Sequence, residues 1–190
     1  MANVSRIVGA ELVKRLGTAT FSAAVNPYLV VATDATAVFL GDFVKTTGEQ
    51  AIWAPTGMYY PVITQAAATN TLRGFIVGFD PNRSDLSLNY RLASTLRLVY
   101  VCDDPYALFI LERSGTAVST DVGKNADITV GAGNTITGTS GMQIDGTTIG
   151  TGSAQIRILA LDPAPNNELG AYAKYICMIN EHELKGTTGV

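Results

Sequence analysis

Charge is what this chain has least of. Asp, Glu, Lys and Arg together make up 15 % of its 190 residues, against about 25 % in a typical soluble protein. A free monomer relies on a charged surface to stay dispersed, whereas the cores of protein interfaces are depleted in charge. The shortage therefore leads us to expect that part of the surface is covered in an assembly. The 13 cations are scattered from Arg6 to Lys185 without a cluster, and the net charge is −3. Tracking a phosphate backbone needs clustered cations, so direct nucleic-acid binding is not expected.

Other scarcities narrow the chemistry. No apolar run approaches the ~18–20 residues of a membrane-spanning helix, so no membrane partner is expected. Met1 to Lys14 lacks the basic-then-apolar order of a signal peptide, and we expect the chain to be made and kept in a cytoplasm. Cys102 and Cys177 are the only cysteines and sit in apolar runs, where free buried thiols are expected rather than a disulfide. The single histidine, His182, is expected at the surface. A Cys177–His182 dyad is disfavoured because residues five apart on a strand point to opposite faces. No metal-type spacing links these residues, and no cofactor or metal is expected.

Glycine, threonine and short apolar runs are plentiful instead. The chain fits one domain at 26–183, with an arm at 1–25 and a tail at 184–190. Within the arm, Ile7, Val8, Leu12 and Leu16 could line one face of a short helix, although Gly9 and Gly17 weaken it. The other reading is a mobile arm that orders on a partner. On that reading Val4, Ile7, Val8, Leu12, Val13 and Leu16 are the candidate interface residues.

From Asn26 the period becomes two. Tyr28–Ala32, Ala37–Leu40, Phe43–Lys45, Pro61–Gln65 and Arg73–Asp80 read as short strands. Leu96–Cys102 is apolar on both faces apart from Arg97, as in a central strand. Asp103-Asp104-Pro105 breaks it, and a hairpin to Ala107–Glu112 is expected. Residues 114–153 form a Gly/Thr-rich excursion with recurring apolar residues, including one helical turn at Ser119–Lys124 capped by Ser119 or Thr120. Ala154–Leu161 reads as a half-exposed strand with Gln155 and Arg157 outward, and Ala171–Asn180 as a buried one. Many short strands and no long amphipathic helix indicate an all-β sandwich or barrel.

The motifs that come nearest to chemistry fail on inspection. Gly133 to Ser140 nearly spells a phosphate loop, but Thr139 stands where the lysine is needed. Asp103 and Asp104 diverge on an extended chain, and Asp121, Asp127 and Asp145 match no calcium-loop spacing. Trp53, Tyr59 and Tyr60 lie in a loop-like stretch between Pro55 and Pro61. They either stack on a sugar or anchor an interface as exposed aromatics, or plug one end of the barrel.

Several segments together carry a resemblance. Asn26-Pro27-Tyr28 opens the first strand, followed by Phe39-Leu40-Gly41-Asp42-Phe43-Val44 and Gly74-Phe75-Ile76-Val77-Gly78. Val99-Tyr100-Val101-Cys102-Asp103-Asp104-Pro105 is the most recognisable block, with Leu108-Phe109-Ile110-Leu111-Glu112 behind it. Then come Asp121-Val122-Gly123-Lys124-Asn125-Ala126, Thr137-Gly138-Thr139-Ser140, Gly170-Ala171-Tyr172-Ala173 and Ile179-Asn180-Glu181-His182. From Asn26 to His182 the chain resembles the decoration, or cement, proteins on the heads of tailed, often short-tailed, bacteriophages.

The resemblance implies a jelly-roll-like β fold on the outside of an icosahedral shell. Its partners would be the major capsid protein and further copies of itself, as a dimer or trimer. It carries no catalytic residues, and no enzyme activity is expected. The expected role is to stabilise the expanded head as part of the virion. The alternatives are a carbohydrate- or receptor-binding module built on Trp53, Tyr59 and Tyr60, or a tail or neck component.

Overall fold

A computed structural model describes residues 3–17 and 25–186. The fold is all-β, with a closed barrel packed against an open sheet. The barrel is built from β2 (Val25–Val30), β3 (Phe43–Trp53), β4 (Met58–Gln65), β5 (Gly74–Phe79) and β6 (Arg97–Cys102), in the order β2-β4-β3-β5-β6. It closes where β2 pairs with β6, from Val25↔Cys102 to Val30↔Arg97. Neighbours are antiparallel except β2 and β4, which touch in parallel at Leu29↔Val62.

The open sheet runs β1-β7-β12-β11-β8, from β1 (Glu11–Arg15), β7 (Ala107–Glu112), β12 (Lys174–Ile179), β11 (Ile156–Leu161) and β8 (Asn125–Ala126). A two-stranded ribbon of β9 (Ile128–Thr129) and β10 (Gln143–Ile144) lies in the Gly/Thr-rich excursion.

The alternation of apolar side chains creates two cores. Tyr28, Val30, Val38, Val44, Ile63, Ile76, Val99 and Val101 fill the barrel. Their sequence neighbours Phe43, Phe75 and Cys102 point out of it and meet Phe109, Leu111, Tyr175 and Cys177 of the open sheet. This follows from the pleat, because successive side chains leave a strand on opposite faces. At the centre of the second core, Phe109 lies 5.2 Å from both the Phe43 and Phe75 ring centroids. Gly74 permits tight closure: a Cβ there would sit 2.2 Å from the Cys102 carbonyl oxygen.

Several expectations are corrected. The Asp103–Tyr106 turn does not make a hairpin; it carries the chain from barrel strand β6 to open-sheet strand β7. The turn is fixed by Asp104, whose Oδ1 accepts from the Tyr106 N–H and whose carbonyl accepts from the Ala107 N–H. Gln155 is buried, not outward, with Nε2 donating to the Ala67 and Asn70 carbonyls and Oε1 accepting from the Ile128 N–H. The helical turn at Ser119–Asp121 is present, but neither Ser119 nor Thr120 caps it; Asp121 Oδ2 accepts from the Val118 N–H. The others concern the arm, the Trp53–Tyr60 stretch and His182, below.

Candidate interaction surfaces

The arm is a strand, not a helix, over Glu11–Arg15. β1 adds antiparallel to β7, with Glu11↔Ile110 and Arg15↔Ala107 and a bulge between Leu12 and Lys14. A helix would leave the edge of β7 bare, whereas the extended arm satisfies its backbone groups. The residues before it are also tied down. Asn3 donates to the Glu168 and Ala171 carbonyls. The buried Glu112 carboxylate accepts from Ser5 Oγ, the Arg6 N–H and Gln143 Nε2. Ala10 donates to the Gly41 carbonyl, where both Gly9 (φ 73°) and Gly41 (φ 87°) are left-handed. The approach is close enough that a Cβ on Gly41 would meet the Val8 carbonyl at 2.5 Å.

The six candidate residues of the arm therefore divide. Leu12 packs against the interlayer core and Val8 is half-buried, while Val4, Ile7, Val13 and Leu16 are exposed. Residues 18–24 of the arm and 187–190 of the tail lie outside the described residues.

Trp53, Tyr59 and Tyr60 are not in a loop. They sit at the tip of the long β3–β4 hairpin, paired as Ile52↔Tyr59, Ala51↔Tyr60 and Trp53↔Met58. Only Ala54–Gly57 forms the turn, with the Gly57 N–H donating to the Trp53 carbonyl. The register puts Trp53 and Tyr60 on one face of the ribbon and Tyr59 on the other, so the three form no single stacking platform. Nor do they plug the barrel, since Tyr59 is 63 % exposed.

Two arginines close the barrel end instead; the sequence showed Arg97 only as the polar exception in its strand and gave no sign of Arg91. Arg91 is fully buried, and its guanidinium donates to the carbonyls of Val31, Asp34, Thr36 and Thr95. Arg97 donates to those of Asp80, Leu88 and Tyr90. Burial lowers the pKa of each. Together they fasten the 80–96 loop over the end of the barrel, and Phe39 stacks on Tyr90 at 4.8 Å.

The hairpin tip and the 133–140 turn each adjoin this loop. Trp53 and Pro55 face Pro81, Arg83, Leu92 and Leu96 across a cleft of about 230 Å³. Asn89 Nδ2 reaches the Ile136 carbonyl. On these three segments Met58, Tyr59, Leu86 and Ile136 are exposed, the last two by more than four-fifths (83 % and 89 %).

The titratable groups are engaged in structure. Asp103 binds Asn26, the Tyr28 hydroxyl and Arg73, whereas Asp104 faces Arg15, so the two carboxylates diverge as expected. Burial, then Asp103, raises the Tyr28 pKa. Asp121 lies 3.0 Å from Arg113 Nε and accepts from the Tyr175 hydroxyl. Both cysteines are free and buried, and burial pushes Cys102 up to about 12 and raises Cys177 further.

His182 is buried, against the expectation of a surface residue, because the segment after β12 turns inward beside Leu72. Its Nδ1 accepts from the Leu184 N–H at 3.0 Å, so the proton of the neutral ring sits on Nε2, which has no partner among the described residues. Burial, then Lys185 and Arg73, pushes its pKa down to about 4. The Cys177 thiol donates to the Tyr175 carbonyl of its own strand. Among the described residues no three His, Cys, Asp or Glu side chains are grouped to hold a metal ion, and no helix is long and apolar enough to cross a membrane.

No family model, no curated protein and no solved structure matches this chain.

Proposed function

We propose that this chain is a structural subunit of a bacteriophage virion, bound to the outside of the head and bridging major capsid protein subunits in the expanded shell. The observation that carries the covering role is the set of large exposed apolar side chains on the hairpin tip, the 80–96 loop and the 133–140 turn, the loop contacting each of the other two: Met58, Tyr59, Leu86 and Ile136. Large apolar side chains concentrated on adjoining segments mark surfaces that bind protein. The low charge content agrees with this. The capsid as the covered surface rests on the resemblance of the strand and turn motifs. Many copies on one shell would act together, so that modest contacts suffice, and binding only the expanded shell would stabilise it by mass action.

The test is sedimentation of purified chain with expanded and unexpanded shells. Binding to expanded shells that is lost in Leu86→Asp/Ile136→Asp supports the reading. Absence of binding, with shells equally robust to heat and low salt whether or not the chain is added, rejects it.

A second reading is a carbohydrate- or receptor-binding module. The half-exposed Trp53 beside Asn82, Arg83 and Ser84 in the cleft favours it. An aromatic face flanked by polar side chains suits a sugar. A glycan titration abolished by Trp53→Ala would support it, and silence at millimolar ligand would remove it. A tail or neck position would be told from a head position by electron microscopy of labelled virions.

A further inference from the structure

At the end of β12 the chain leaves the open sheet and crosses to the barrel. The Glu181 carbonyl accepts from the Leu72 N–H, and the Leu72 carbonyl accepts from the Glu183 N–H, so this segment runs parallel beside Leu72, just ahead of β5. The Glu183 carboxylate reaches β3, with Oε1 accepting from the Thr46 N–H and Oε2 from the Thr46 hydroxyl. Lys185 turns back, donating from Nζ to the Ile179 carbonyl and lying over the Tyr106 ring. Residues 181–185 thus form a strap between the two layers.

His182 is the buried centre of this strap, and its Nδ1 caps the final helical turn, Glu183–Lys185. That bond exists only while Nδ1 carries no proton. In the imidazolium both ring nitrogens are donors, so a protonated Nδ1 would stand 3.0 Å from the Leu184 nitrogen, donor against donor. The charged groups around the ring are Arg73 ahead of β5, Asp103 and Asp104 in the β6–β7 turn, and Lys185 in the strap itself. Both aspartates are already committed, Asp103 to Asn26, Tyr28 and Arg73, and Asp104 to Arg15. Nε2 has no partner among the described residues to share an added charge.

We infer that residues 181–185 are an acid-released strap: protonation of His182 breaks its cap, and the segment comes away from Leu72 and Thr46 while the barrel and the open sheet stay folded. Once released, the ring reaches water and takes its proton near the ordinary 6.5, whereas in place it resists protonation down to about 4. Each pH unit between these values therefore favours the open strap about tenfold. The release is a property of the chain alone and does not depend on what the molecule covers.

Amide exchange of the full chain over pH 4–7, corrected for the intrinsic pH dependence of exchange, tests this. The Leu72, Glu183, Leu184 and Lys185 amides should be less protected than those of β6 and should lose protection about tenfold per pH unit below 6.5. They should also respond little to low urea, which marks an opening smaller than global unfolding. His182→Asn keeps a cap acceptor that does not titrate and should flatten the slope. A slope that persists in that variant belongs to the Glu183 carboxylate and overturns the inference. His182 is the only histidine, so its ring resonances give a readout that needs no variant: the charged ring should appear only together with loss of the same amides. Strap amides as protected as β6 at every pH, strap amides without a slope, or a charged ring beneath a strap that stays protected would each overturn the inference. Failure to bind shells would leave it standing.

Discussion

Arg15 Nε lies 2.7 Å from Asp104 Oδ2, and this contact ties the last residue of β1 to the turn that joins the two layers. Asp104 is buried while Arg15 is half exposed, so the pair is screened on one side only. Arg15→Ala should lower stability by no more than about 1 kcal/mol. Its larger effect should be local, with faster amide exchange across β1 and unchanged protection in the barrel.

Arg91 should be the costliest polar residue to replace. Its guanidinium serves four carbonyls on both sides of the barrel end, and its removal strands them in a closed environment. Arg91→Met should cost about 3–5 kcal/mol in urea unfolding. Arg91→Lys should recover little of this, because an ammonium cannot reproduce the planar fork.

Stability should fall in mild acid through His182. Its folded pKa, about 4, lies below the ordinary 6.5. Between these values the unfolded chain takes up a proton that the folded chain excludes. The contribution is therefore complete above 6.5 and is lost as pH drops towards about 4, by up to roughly 3 kcal/mol. Arg73 and Lys185 oppose protonation, and Asp103 and Asp104 favour it. Asp42, raised by burial, has the opposite pH dependence, losing stability as pH rises from its ordinary value. Comparing the chain with His182→Gln over pH 4–7 isolates the histidine; equal slopes would refute its role.

Neither thiol should react with an aromatic disulfide reagent at neutral pH in the folded chain. Burial keeps both protonated and out of reach. Two equivalents should react after unfolding. Release of even one in the native state would contradict the packing of the interlayer core.

Phe109→Ala should cost about 3–5 kcal/mol, since the ring touches both Phe43 and Phe75 across the layers. The loss should appear as a shift in denaturation midpoint with unchanged slope.

Most long strands were legible because Val, Ile and Phe recur at period two, and Leu96–Cys102 was read correctly as central from its two apolar faces, whereas Ala37–Leu40, read as a strand, makes only the isolated bridges Val38↔Arg91 and Leu40↔Thr139. Their partition between barrel and sheet was not legible. Asp103-Asp104-Pro105 announces a turn, but a turn says nothing about which sheet receives the next strand. The arm misled because Leu12 and Leu16 fit a helical period as well as an edge strand, and only contact with β7 decides between them. Pro55, Gly57 and Pro61 made the aromatic hairpin look like a loop; Pro61 in fact sits within β4, opposite Gln50. The buried roles of Arg91, Arg97 and Gln155 were not legible because their partners are main-chain carbonyls and amides, which carry no side-chain signature. The Val4, Ile7, Val13 and Leu16 surface was legible as an apolar pattern, whereas the apolar group around Leu86 and Ile136 depends on loop contacts that no local pattern encodes.

The Tyr106 ring has Arg15 5.9 Å from its centroid and Lys185 5.2 Å from it. The first strand and the last helical turn of the described chain thus grip one residue in the turn between the layers. Tension on either segment would therefore load this turn, where barrel strand β6 hands over to open-sheet strand β7.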